Sequence, residues 1–148
     1  MKIAIGCDEA AYELKELIRK YVEELHHEVV DFGTFDNRPV LYPDIAFKVA
    51  EEVAKGTFPR AILMCGTGIG MAICANKVPG VRAAQAHDTY SAERARKSND
   101  AQILSMGARV VGPELAKSIV KAWLESEFEP ARSAAKVERI RAYERRGS

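Results

Sequence analysis

The chain has 148 residues, 47% hydrophobic and 29% charged, with 22 Lys and Arg against 21 Asp and Glu. A net charge of +1 leaves no electrostatic footprint for nucleic acid or a membrane surface, and no apolar run approaches the roughly 20 residues that cross a bilayer. The length suits one domain, 1–148, able to bury a full core.

Met1-Lys2 leads at once into Ile3-Ala4-Ile5-Gly6-Cys7 and acidic Asp8-Glu9, which predicts no secretory leader. Short apolar runs at 2–7, 28–32, 61–65, 81–86 and 102–106 have the composition of buried parallel strands, and 109–112 is a candidate for one more. Helical patterns lie between them. Residues 10–25 put Leu14, Leu17, Ile18, Tyr21 and Leu25 on one face. Residues 43–55 carry Ile45, Val49 and Val53, with Gly56 as a C-cap. A helical run follows the glycines at 66–70 and ends near Asn76, and another after the fourth strand ends at Ser98-Asn99-Asp100. Pro113 suits the first turn of a helix to about Ser126, with Leu115, Ile119, Ala122 and Trp123 inward. A last helix, about 133–146, carries Val137, Ile140 and Tyr143; it is basic, with Lys or Arg at 132, 136, 139, 141, 145 and 146 against Glu138 and Glu144. It could reach its own site or that of a partner subunit. Strand and helix in alternation predict a doubly wound α/β domain, in which ligands gather outside the carboxyl ends of the strands.

That rule points to Cys7-Asp8-Glu9, Gly33-Thr34, 65–70, Ala86-His87-Asp88 and 106–109. The sharpest of these is Cys65-Gly66-Thr67-Gly68-Ile69-Gly70. Its glycines allow a tight turn and close approach of backbone N–H groups, and the helix that follows offers unpaired donors to an anion or oxyanion. It is neither a Gly-Lys-Ser/Thr phosphate loop nor G-x-G-x-x-G. Cys65, ahead of a helix N-terminus, stands where a thiolate is favoured, whereas Cys74 within a helix and Cys7 read as small buried hydrophobes. The three cysteines show no framework spacing, so they are expected reduced, in the cytoplasm. Asp8 is either an acid/base carboxylate or a helix N-cap. Arg109, Arg132 and Lys136 are candidate phosphate ligands, and His87 stands at a strand's carboxyl end. No His, Cys, Asp or Glu cluster has metal-ligand spacing.

Ile-Gly-Cys-Asp at 5–8, Val-Val-Asp-Phe-Gly-Thr at 29–34, Tyr42-Pro43-Asp44, the loop at 65–70, the run at 75–83, Ser98-Asn99-Asp100-Ala101 and 107–112 resemble the type B ribose-5-phosphate isomerase family, which includes the galactose-6-phosphate isomerase subunits. The resemblance covers nearly the whole chain. It implies a Rossmann-like three-layer α/β/α sandwich with a mainly parallel five-stranded sheet, in a homodimer, possibly a tetramer, whose active sites are shared between subunits. It implies aldose–ketose conversion of a small phosphorylated sugar through a cis-enediolate, without cofactor or metal. Carried over, Cys65 is the acid/base between C1 and C2, and the backbone of Gly66, Gly68, Ile69 and Gly70 holds the enediolate oxygens. Asp8 and Thr67 contact the carbonyl end, Asn99 binds a substrate oxygen, and Arg109, Arg132 and Lys136 take the phosphate.

Three positions depart from that pattern. Glu9 and Ser98 stand where the ribose enzymes have histidines, the second of them assigned to opening the furanose ring, and 132–136 lacks the family's tail histidine. Loss of those imidazoles points to an open-chain substrate such as D-erythrulose 4-phosphate as the rival of ribulose 5-phosphate, with His87 as a candidate replacement. A non-catalytic sugar-phosphate-binding subunit is the alternative of another class.

Overall fold

The period-2 pattern of the apolar strands decides the layers. In the computed structural model, which describes residues 1–146, β1 (Lys2–Cys7) sends Ile3, Ile5 and Cys7 to one face of the sheet and Ala4 to the other. The elements then run as a 3-10 turn (Glu9–Ala11), α1 (Tyr12–Glu24), β2 (Glu28–Asp31), α2 (Tyr42–Ala54), β3 (Arg60–Cys65) and α3 (Ile69–Asn76). They continue with β4 (Ala83–Gln85), α4 (Thr89–Lys97), β5 (Ile103–Gly107), α5 (Pro113–Leu124) and α6 (Pro130–Arg145). All five strands are parallel, in the order β2-β1-β3-β5-β4. One core lies under α1, α4 and α5, where Ile62, Met64, Leu104 and Met106 meet Ile18, Ala92, Ile119 and fully buried Trp123. The other lies under α2 and α3 and includes Leu63, Cys65, Val49, Met71 and Cys74. The chain is therefore the expected α/β/α sandwich, with the topological switch between β1 and β3.

Three expectations need correction. Residues 109–112 are a turn, not a strand, because the chain folds back at once: Val110 N and Val111 N both donate to Gly107 O, at 3.0 and 3.1 Å. The last helix starts at Pro130 rather than Ser133, since proline's fixed φ and missing N–H suit the first turn. It buries only Val137; Ile140 and Tyr143 remain 43% and 65% exposed beside the edge strand β4. Leu115 is also exposed, because the inward stripe of α5 is Ala116, Ile119, Val120 and Trp123.

One buried charge departs from the amphipathic reading of α1. Lys15 is 0% exposed, with its ammonium 2.7 Å from Asp31 Oδ2 and 2.7 Å from Thr34 O. Asp31 Oδ1 accepts in turn from Gly33 N at 2.8 Å. The pair ties the segment after β2 to α1, and that segment backs the end of β1: Cys7 N donates to Gly33 O and Thr34 N to Cys7 O. Replacing Lys15 by Met strands Asp31 without its cation, and we expect a loss of about 3 kcal/mol in urea unfolding. The exposed pair Arg38–Asp36, whose arginine is 87% exposed, is the control; Arg38→Ala is expected to leave the urea midpoint in place.

Candidate active site

Parallel strands bring every carboxyl end to one edge, and there the turn after β5 holds the loop after β3. Cys65 pairs with Gly107 in register, then Ala108 N donates to Cys65 O at 2.9 Å and Arg109 N to Gly66 O at 3.0 Å. The approach is so close that a Cβ on Gly107 would lie 2.6 Å from Thr67 Cα. Gly68, at φ +79°, turns the chain into α3 and packs against Met106.

Cys65 is buried at the mouth of the α2–α3 core, and its sulfur accepts from Gly68 N–H at 3.1 Å. Ile69 N–H donates to Thr67 Oγ1 at 3.2 Å. Of the loop amides expected to face an oxyanion, those of Gly68 and Ile69 are thus committed to the loop's own acceptors. The N–H groups of Gly66, Thr67 and Gly70 have no partner among the described residues, and Met71 adds a fourth free donor in the first turn of α3. The Arg109 guanidinium covers Gly66, with Nη1 3.0 Å from where a Cβ would stand.

Asp8 follows β1 beside this loop; its N–H donates to Met64 O at 3.2 Å. Its carboxylate caps the 3-10 turn, accepting from Ala11 N at 3.2 Å. Burial and the neighbouring Glu9 charge raise its pKa above the ordinary aspartate value, against the pull of Arg109. Glu9 is directed away to Val40 N, 3.4 Å from its Oε2. His87 accepts from Gly107 N–H through Nε2 at 2.9 Å.

Three groups at this edge escaped sequence reasoning. The Tyr42 hydroxyl, from the start of α2, lies against Gly70. Gln85 Nε2 donates to Thr67 O at 2.8 Å and buried Ser105 Oγ to Gly68 O at 2.7 Å. Tyr42-Pro43 was visible as a helix start, but nothing in an alternating strand pattern marks Gln85 or Ser105 as gripping a loop.

The remaining expected residues sit elsewhere. Ser98 and Asn99 close α4 at the amino edge, ahead of β5, and share a cavity with Arg94, Arg132 and Lys136. Ser98 Oγ accepts from Arg94 Nε and Nη2 at 3.0 and 2.5 Å. β5 stands between that cavity and Cys65, a run of about 13 Å at strand rise. The reading in which the chain's own tail serves its own Cys65 is therefore corrected: one sheet holds the two groups at opposite edges. No group of three or more His, Cys, Asp or Glu side chains is gathered as a metal site among the described residues, and none of their helices is long and apolar enough to cross a membrane.

A loop of free amides beside a thiol and a guanidinium, at the switch point of a doubly wound sheet, suits a small anionic substrate, and sequence relationships give it a class: the chain is a sugar-phosphate isomerase, an aldose–ketose isomerase. It belongs to the Ribose/Galactose Isomerase family, whose model matches residues 3–140. It is 61% identical over 138 residues to the ribose-5-P isomerase B of Listeria innocua, covering 93% of each chain. It is 54% identical over 147 residues to the D-erythrulose-4-phosphate isomerase of Pectobacterium atrosepticum, covering 97% of this chain and 95% of that one. The structure of Clostridium thermocellum ribose-5-phosphate isomerase B superposes with a TM-score of 0.98 at 48% identity, over 100% of both chains.

The three thiols are chemically unequal. Burial pushes Cys7 up to about 12 and raises Cys74 as well, with the neighbouring Cys65 adding to the latter. A thiol raised in this way stays protonated and unreactive at neutral pH. At pH 8 we expect iodoacetamide to label Cys65 alone, read by peptide mass spectrometry of the folded protein.

Proposed function

We propose that this chain interconverts ribose 5-phosphate and ribulose 5-phosphate through a cis-enediolate, with Cys65 as the base. The observation that carries the reading is the thiol held by Gly68 N–H beside four unpartnered loop amides. As a thiolate, Cys65 takes the proton from C2 of the open-chain aldose. The electron pair forms the C1–C2 double bond and charge develops on O1, where N–H groups of Gly66, Thr67 and Gly70 stabilise it. The thiol then returns the proton to C1 while O2 loses its own and becomes the carbonyl. Asp8, whose environment favours the neutral acid more than is ordinary, passes the proton between O2 and O1. The Thr67 hydroxyl, accepting from Ile69 N–H, keeps its proton free for a sugar oxygen. No cofactor or metal enters this scheme, and the free thiols Cys7, Cys65 and Cys74 suit a cytoplasmic enzyme.

The phosphate falls to Arg109 on this chain and to Arg132 and Lys136 of a second copy, whose Asn99 takes a sugar oxygen, because one sheet keeps those groups at its far edge. The half-exposed stripe of Ile140 and Tyr143 along β4 and the exposed Ile69 and Ile73 of α3 supply apolar surface for such a homodimer. Mixing two inactive variants, Cys65→Ala and Lys136→Ala, is expected to restore about a quarter of wild-type activity, since half the dimers then carry one intact shared site. No recovery on mixing would sink the shared-site arrangement.

A second reading, conversion of D-erythrulose 4-phosphate, is favoured by the lack of an uncommitted imidazole nitrogen facing Gly107 at the carboxyl edge, where His87 is the one histidine; His26 and His27 lie at the amino edge before β2. His87 Nε2 is committed to Gly107, and His27, at the amino edge, binds the N-terminal ammonium at 2.9 Å. Ser98 stands in a guanidinium's grip, and Glu9 is turned to Val40. A tetrose phosphorylated on O4 has no hydroxyl to close a furanose and needs no ring opening. Assays on four-, five- and six-carbon sugar phosphates separate the readings by kcat/KM. Cys65→Ala is expected to lose on the order of 10²–10⁴-fold on the preferred substrate. A Cys65→Ala enzyme as active as wild type would remove the thiol mechanism and move a sugar-phosphate-binding role forward.

A further inference from the structure

We infer that Gln85 is a positioning residue for Cys65: by gripping the Thr67 carbonyl it turns the Gly68 N–H of the same peptide plane onto the Cys65 sulfur. The inference rests on the reading of Cys65 as the base. The side chain is exposed at the carboxyl end of the edge strand β4, yet its amide donates to Thr67 O at 2.8 Å. Thr67 C=O and Gly68 N–H belong to one trans peptide unit, in which the two groups point in opposite directions. A donor that pulls the carbonyl toward β4 therefore aims the N–H at Cys65 Sγ, which it reaches at 3.1 Å. Gln85 also polarises the unit, since a hydrogen bond accepted at the carbonyl strengthens the one donated at the nitrogen.

The neighbouring contact separates this role from general bracing of the loop. Ser105, paired with Gln85 in register on β5, bonds the next carbonyl, that of Gly68, at 2.7 Å. The N–H of that second unit belongs to Ile69 and goes to Thr67 Oγ1, not to sulfur. Two adjacent residues on two strands thus set two successive peptide planes, and only the one held by Gln85 ends on the thiol. A glycine at 68, at φ +79°, gives this plane little stiffness of its own, so its orientation depends on the external grip.

The titratable and charged groups placed around the thiol come from every flanking element. They are Asp8 and Glu9 after β1, Tyr42 at the start of α2, Cys74 in α3, His87 after β4 and Arg109 after β5. Gln85→Met changes none of them and preserves side-chain length while removing the donor. The rate of iodoacetamide labelling of Cys65, followed from pH 5 to 10 on the intact protein, reads thiolate formation directly. We expect the midpoint to rise by about one pH unit in Gln85→Met, the scale of a weakened hydrogen bond to a charged group, and the Gly68 amide resonance to lose its dependence on Cys65 ionisation. Gln85→Thr, suited to an edge strand but too short to reach the carbonyl, is the second variant and should move the midpoint the same way. A midpoint that stays at its wild-type value in either folded variant overturns the proposal. Because this readout is ionisation and not turnover, a chain that converted no sugar phosphate would sink the catalytic reading and leave the titration to decide the role of Gln85.

Discussion

The missing side chain at Gly107 is the constraint on which the rest of the carboxyl edge depends. A Cβ there would stand 2.6 Å from Thr67 Cα and 2.7 Å from Gly66 O, distances no backbone tolerates. With hydrogen in that place, the turn after β5 can lie directly on the loop after β3. Its amides then satisfy Cys65 O and Gly66 O. Those carbonyls would otherwise compete for the space a substrate needs. With them bonded to that turn, the amides of 66, 67, 70 and 71 remain as donors without a partner among the described residues. His87 completes the contact by accepting the Gly107 N–H, which lies beyond the last paired residue of β4.

The same all-parallel sheet that gathers the thiol, the loop and Arg109 at one edge sends the helix ends to the other. Every α-helix that returns from the carboxyl edge finishes at the amino edge, so the C-terminus of α4 and the start of α6 meet there. They carry Arg94, Ser98, Asn99, Arg132 and Lys136 into one cavity. The chain thus separates Cys65 and its loop from this cluster of cations by the length of a strand. Within each half, contacts hold part of the machinery in place: Arg94 with Ser98, Asp100 with Arg96 and Arg82, Cys65 with Gly68.

How much of this was legible in the sequence follows from which forces act locally. The five strands and the loop at 65–70 were readable because buried parallel strands need continuous apolar runs and the turn into α3 needs glycine. What failed were features decided by tertiary context. The apolar run at 109–112 looks like a strand, but two bonds back to Gly107 O win. Ile140 and Tyr143 carry a helical stripe whose partner surface is not in the chain's own core. Lys15 lies at a polar position of the α1 pattern and is nonetheless buried, because Asp31 and Thr34 O await it. Gln85, Ser105 and Tyr42 act through single contacts with a loop distant in sequence, and no periodicity encodes those.

Strand parity separates two thiols that the sequence presents almost alike. Cys7 and Cys65 both close a central strand, but Cys7 pairs in register with Met64, one residue short of Cys65. That single step puts them on opposite faces. Cys7 therefore points with Ile3 and Ile5 into the core under α1 and α5, where burial outweighs the pull of nearby Lys15 and the thiol is pushed up to about 12. Cys65 points to the α2–α3 side, where β3 runs straight into the loop and an N–H can turn back onto the sulfur. The glycines of 66–70 alone would not choose between these cysteines; the register of β1 with β3 does. The place of the Cys65 thiol at this edge is thus a property of sheet pairing as much as of the loop motif: a one-residue slip of β3 would turn Cys65 to the face of Ile3, Ile5 and Cys7 and take the sulfur away from the Gly68 N–H.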